Sequence, residues 1–155
     1  MNQVDGFDLA ILQQLQQNSN INMQDLAERV NLSKTPCWRR VKRLEEAGFI
    51  RKYVAILDQR LLGLSVMAYV QVSMKDHDLS TLQVFLDFVE QSPYILDCHA
   101  TAGNFDYVMK VIAADTERLE NFLMRELLSS GVIQSTNTNL ILRQKKSTTE
   151  LPLDP

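Results

Sequence analysis

The chain has 155 residues, 45% of them hydrophobic and 23% charged, and carries a formal net charge of −3. That length holds one ordinary domain or two small ones. No apolar run approaches about 18 residues and no signal peptide is recognisable, so a membrane-spanning or secreted protein is excluded and a cytoplasmic one expected. The only cysteines are Cys37 and Cys98; without a secretory context they read as free thiols, not as a disulfide framework. The charge is unevenly spread. Residues 1–60 hold nine basic and seven acidic groups, whereas residues 61–155 hold seven and twelve. An acidic partner would meet the first part.

A first helix is expected from Asp5, its cap, to about Gln17, with Leu9, Leu12 and Leu15 inward. Residues 22–50, NMQDLAERVNLSKTPCWRRVKRLEEAGFI, then read as helix, tight turn, basic helix and glycine stop. Asn22 caps the short helix, and Asp25 three places on gives a capping-box-like pattern. Leu26, Ala27 and Val30 form its apolar side. Asn31-Leu32-Ser33 is the turn, with Ser33 capping the next helix. Pro36 falls in that helix's first turn, where its missing N–H costs little, and Gly48 suits the C-terminal stop.

On a wheel of about 100° per residue, Cys37, Val41 and Leu44 of the basic helix turn to the core. Thr35, Arg39, Lys42, Arg43 and Glu46 face away, with Lys34, Trp38 and Arg40 on the boundaries. Between Lys34 and Lys52 there are seven basic residues (Lys34, Arg39, Arg40, Lys42, Arg43, Arg51, Lys52) against Glu45 and Glu46. Such a helix can lie in the major groove, its first turns on base edges and its flanking cations on phosphates. The candidate DNA contacts are Lys34, Thr35, Trp38, Arg39, Arg40, Lys42 and Arg43. The bland alternative is a solvated basic surface helix. Trp38 reads equally well as packing against the first helix or as touching a thymine methyl or the sugar-phosphate wall.

Residues 50–57 alternate and are rich in β-formers, as a wing after a recognition helix would be. Residues 58–63 break the pattern, so a winged helix-turn-helix domain over 1–60 and a second domain over 66–155 are expected, with a linker at about 58–65. In the second, strands are expected at 66–74, 95–102, 106–113 and 132–143. Helices are expected at 80–91, with Leu82, Phe85, Leu86 and Val89 inward, and from cap Asp115 to about Leu128, with Leu119, Phe122, Leu123 and Leu127 inward. Gly103-Asn104 joins the second and third strands as a hairpin. The order βαββαβ is the ferredoxin-like plan, an α+β sandwich with both helices on one sheet face. The other face carries Met67, Tyr69, Gln71 and Ser73 beside Val108, Lys110 and Ile112. It is apolar enough to need a cover, most simply the same face of a second copy.

Catalytic and metal sites fare poorly. Cys98 and His99 are neighbours on a strand, so they point to opposite faces and cannot act together. His77, His99 and the two cysteines show none of the short spacings of structural zinc. There is no phosphate-cradling glycine loop. No cofactor and no enzymatic activity are expected.

The run LSKTPCWRRVKRLEEAGFI, the hairpin AGNFDYVMKV and the tail KKSTTELPL together resemble the Lrp/AsnC (feast/famine) family of prokaryotic transcription regulators, in the right order over nearly the whole chain. The resemblance implies a DNA-binding helix-turn-helix followed by an αβ-sandwich that senses amino acids and oligomerises. It further implies dimers that assemble into octameric discs, with the effector bound where sensing domains of neighbouring dimers meet. The pocket walls it implies are Thr101, Gly103, Asn104, Asp106 and Tyr107, with residues 134–138, among them Gln134, Thr136 and Thr138, opposite. The chemistry fits a zwitterion: Asp106 to accept from its ammonium, and backbone N–H groups near Gly103 for its carboxylate. Equally, Gly103-Asn104 is only a tight turn and Asp106 satisfies its own backbone. The rival function is a ferredoxin-like enzyme or ligand-binding module whose N-terminal unit contacts protein. Effector identity, operator, and activation against repression are not legible.

Overall fold

The computed structural model describes residues 4–153. The chain divides into two compact units: residues 57–145 form one, and the segments before and after them together form the other.

In the first unit three helices follow the caps. Helix α1 (Gly6–Gln17) opens with a capping box in which the side chains of Asp5 and Asp8 each accept the other's backbone N–H. Helix α2 (Met23–Arg29) is capped by Asn22, whose side chain accepts from the Asp25 N–H. Helix α3 (Lys34–Glu46) starts after Ser33, which takes the cap position without a side-chain hydrogen bond. Its end is a Schellman stop: Gly48 adopts φ +78, its N–H reaches the Glu45 carbonyl, and the Phe49 N–H reaches that of Leu44. Ile11, Leu26, Ala27, Val30, Cys37, Val41 and Leu44 form the core. Each large aliphatic side chain buried there contributes about 1.5–3 kcal/mol.

The inner line of α1 differs from the expected Leu9-Leu12-Leu15. It runs through Asp8 and Ile11, both fully buried, with Leu12 and Leu15 at the margin and Leu9 outside the cluster. That set keeps the i, i+3, i+4, i+7 spacing, but only if an acid is admitted to it. The expected wing strand is also absent. Residues 51–58 pair with no strand among the described residues and stand exposed, because a strand without a neighbour has nowhere to send its backbone hydrogen bonds. The tail 146–153, placed with the second domain in the sequence division, belongs to this unit. The Gln16 amide holds Leu151 at both backbone atoms, accepting its N–H at 2.9 Å and donating to its carbonyl at 3.0 Å, while Gln13 donates to the Leu153 carbonyl at 2.7 Å.

The second unit is the βαββαβ sandwich. Strands β1 (Val66–Met74), β2 (Ile95–Ala100), β3 (Tyr107–Ala113) and β4 (Ile133–Leu140) form one antiparallel sheet in the order β2-β3-β1-β4. Helices α4 (Leu79–Gln91) and α5 (Thr116–Asn121) bury Phe85 and Leu119 with Ala68, Val70, Val72, Met109 and Val111 in one core, so both helices cover the same face.

Four local expectations change. The connection between β2 and β3 is the whole segment 101–106, not a two-residue turn. On α4, Leu86 is exposed and Phe88 packs in its place. Past Asn121 the α-helix continues as a π segment (Phe122–Leu127) and a short 3-10 turn. Phe122 and Leu127 lie five residues apart, and the wider i→i+5 winding brings both inward. Strand β4 is shorter than expected, ending at Leu140. On the helix-free face, register sets Met67 opposite Ile112 and Tyr69 opposite Lys110. Met67 and Ile112 are already buried within the single chain, whereas Tyr69 is 43% exposed.

Candidate DNA-reading helix and effector loop

Helix α3 turns its apolar third to the core, and this leaves Lys34, Thr35, Trp38, Arg39, Lys42 and Arg43 exposed. Trp38 stands outside the core cluster, half in solvent at 50%. The cations differ in what holds them. Lys42 is tied along the helix to Glu45 at 2.7 Å. Arg43 donates through Nη2 to Asp8 of α1. Arg40, expected among the DNA contacts, is half-buried and faces α1 instead. Its Nη1 donates to Asp8 at 2.8 Å and to Asp5 at 2.7 Å, and its guanidinium lies 5.4 Å over the Phe7 ring. The two carboxylates hold Arg40 more firmly protonated, Asp8 most strongly. Asp5 is held below the usual carboxylate range by the Asp8 N–H first and by Arg40 second. Among the described residues Lys34, Arg39, Arg51 and Lys52 have no ion-pair partner. Together with the open first turn of α3, whose N–H groups and dipole favour anions, they make a surface for a polyanion.

Sequence reasoning gave Asp5 only its capping role and missed Phe7 and Asp8. The signal available was an acid recurring on the apolar side of α1.

In the second unit the segment 101–106 is closed at its base. The Thr101 N–H reaches the Asp106 carbonyl at 2.8 Å, and the Thr101 hydroxyl donates to the Phe105 carbonyl at 2.6 Å. Gly103 and Asn104 are exposed at its tip, and a Cβ on Gly103 would meet open space. Asp106 accepts the Met74 N–H at 2.7 Å on one oxygen, and His77 Nε2 lies 3.0 Å from the other. These contacts, the Met74 N–H foremost, lower its pKa. The carboxylate is thus tied to the end of β1 and not to its own backbone. Each carboxylate oxygen still has a second acceptor site, so room for a ligand's ammonium remains. His77, weighed in the sequence only as a metal ligand, is the polar neighbour of Asp106.

The opposite wall is β4. Thr136 and Tyr107 both pair with Val72, one on each side, and so share the helix-side face about 10 Å apart across two strand spacings. Tyr107 is spent on packing, its ring 4.6 Å from that of Phe85. Thr138 sits further along, opposite Val70. Gln134 falls in the bulge where the β1–β4 register shifts, and it is exposed. The end of β1 thus separates the loop from Gln134. Cys98 and His99 lie on opposite sheet faces, by their pairing with Met109 and Val108. The Cys98 thiol is pushed up by burial, and among the described residues no group of three ligating side chains could hold a metal.

Comparison with known proteins bears on both sites. Residues 4–51 match the winged helix-turn-helix DNA-binding family, and residues 67–151 match the Lrp/AsnC ligand-binding domain. The chain belongs to the Lrp/AsnC family. The DNA-binding transcriptional activator DecR of Escherichia coli is 36% identical over 151 residues, covering 97% of this chain and 99% of DecR. The leucine-responsive regulatory protein of Rhizobium meliloti is 31% identical, covering 97% of each chain. The crystal structure of a Neisseria meningitidis transcriptional regulator in complex with L-Met superimposes with a TM-score of 0.95 at 35% identity over 98% of both chains. This Lrp/AsnC protein is accordingly a DNA-binding transcriptional regulator with an attached ligand-binding domain. Among the described residues no helix is long and apolar enough to cross a membrane.

Proposed function

We propose that α3 reads double-stranded DNA through Lys34, Thr35, Trp38, Arg39, Lys42 and Arg43, with Arg40 bracing the helix from behind, and that an amino acid bound at the loop 101–106 controls that reading. The observation that carries the proposal is the exposed basic face of α3, held at one end by the Schellman stop and from behind by the acids of α1. Arg39 and Lys34 contact bases or phosphates; Arg51 and Lys52 extend the phosphate footprint. Such contacts release counterions, so affinity falls linearly on logarithmic axes with a slope of about −0.9 per phosphate neutralised. The test is binding of the full chain to duplex DNA over a range of salt. A steep slope supports the reading. Affinity indifferent to salt would make the first unit a protein-contact module instead.

For the effector, Asp106 and His77 meet the ammonium, while loop N–H groups around Gly103 meet the carboxylate. The L-Met complex of the Neisseria relative makes methionine the first candidate. A thermal-shift series over the standard amino acids identifies the effector, since a ligand bound only by the folded state raises its stability. The working assembly is a homodimer, paired through the sheet face bearing Tyr69, which builds on to an octamer in the cytoplasm. Exposed apolar side chains support association: Tyr69, and also Val54, Ile56 and Leu57 of the unpaired segment.

A further inference from the structure

Asp8 is the one buried charged residue among those described, with 0% exposure. One of its oxygens accepts from Arg40; the other accepts the Asp5 N–H at 3.1 Å and the Arg43 guanidinium. Burying a carboxylate is costly unless it is paired and hydrogen-bonded, and here three donors satisfy it. Two of those donors belong to α3. Arg40 is committed, since it also binds Asp5 and covers Phe7. Arg43 is not. It is 51% exposed and bonded to Asp8 through a single nitrogen, so among the described residues most of its five donors stay unbonded, one helical turn beyond Arg39.

The quartet of Asp5, Asp8, Arg40 and Arg43 holds two charges of each sign. Its benefit to DNA binding therefore does not come from added net charge. We infer that Asp8 is a positioning residue for DNA recognition: from inside the unit it fixes the Arg43 guanidinium so that its outer edge is presented to the DNA backbone already oriented. A free arginine must give up rotamer freedom when it meets a phosphate; an anchored one has surrendered it on folding. Arginine suits the role because its planar fork can bond a carboxylate on one edge and a phosphate on another, whereas a lysine is a single point charge.

The inference rests on the reading of α3 as the DNA-contacting helix, and the test separates the two. The probe is a duplex that the wild-type protein selects from a randomised pool. Full-chain Asp8→Asn, Arg43→Ala, their double variant, Arg43→Lys and Arg39→Ala are titrated onto it, each checked for folding by circular dichroism. Asp8→Asn and Arg43→Ala should each weaken binding, and the double variant should be no weaker than Arg43→Ala alone. The coupling between them should be roughly two- to hundredfold. Arg43→Lys should bind the selected duplex as poorly as Arg43→Ala while keeping the wild-type salt slope. Multiplying losses in the double variant would reduce Asp8 to a structural brace and overturn the inference, as would wild-type affinity in Arg43→Lys. A loss in Arg39→Ala with none in Arg43→Ala would overturn it while leaving the reading of α3 intact. No loss in either would remove both.

Discussion

Arg39 and Lys34 stand exposed on α3 without an acidic partner among the described residues, yet they should behave differently on DNA. Arg39 is central on the outward face. Its replacement by alanine should cost about 1–3 kcal/mol on a preferred duplex and relax the preference at one position. Lys34 is at the helix start, so Lys34→Ala should weaken all sequences alike and flatten the salt slope by about 0.9. Equal losses for Arg39→Ala on preferred and scrambled duplexes would show that it touches only backbone. At Asp106 the measurable quantity is pH dependence. Its folded-state pKa is lowered, first by the Met74 N–H and then by His77, so folding favours the charged form. The stabilisation is present above the unfolded value of about 3.9 and is lost as pH falls through the lower folded value. Asp106→Asn should therefore flatten the stability curve below about pH 4 in urea unfolding, and a curve parallel to wild type would deny the carboxylate any role in folding. Asp8 marks where single residues stop being legible. An acid on α1 reads as surface until Arg40 and Arg43, 32 and 35 positions away, are known to close over it.

Helix ends are local chemistry, which is why α2, α3 and their turn can be read from Asn22, Pro36 and Gly48 without knowing the fold. The Schellman stop gives an element-scale prediction. Gly48 adopts φ +78, where a Cβ costs about 1–2 kcal/mol. Gly48→Ala should lower the melting temperature by several degrees without changing the helix content, and an unchanged melting temperature would mean that the stop relaxes at no cost. The order of strands and helices along the second unit was legible for the same local reasons, through the apolar β-rich runs of β1 and β3 and the apolar spacing of α4. Two features were not. The π winding that brings Leu127 under Phe122 is decided by the shape of the core, since the sequence spacing fits an α-helix nearly as well. The extended segment 51–58 has the composition of a strand, but pairing depends on a neighbour that no local pattern supplies. At the candidate effector site, the family resemblance pointed to the loop, while Tyr107 was drawn into the core by Phe85 and His77 was added by the turn after β1.

For the molecule as a whole, association and coupling are the testable properties. Tyr69 lies directly across from Lys110 on the helix-free sheet face. Tyr69→Lys sets two ammonium groups opposite each other, and it should halve the mass of the full chain in light scattering if that face joins two copies. An unchanged mass would send the dimer interface elsewhere. An effector at loop 101–106 can alter DNA binding only by favouring one assembly or conformation over another. Asp106→Ala should abolish the effector's influence, typically about 5- to 150-fold in affinity, and leave effector-free binding nearly intact. Equal responses in the two proteins would remove Asp106 from the pocket. The strap from Gln13 and Gln16 to Leu151 and Leu153 gives the chain an order in time. A ribosome releases α1, α2 and α3 first, but the backbone groups that Gln13 and Gln16 hold are synthesised only after the whole ligand-binding unit. The DNA-binding unit is thus begun before the ligand-binding unit is made and finished after it, and a nascent chain cut short before residue 146 would present α3 to DNA on a scaffold that had never been fastened.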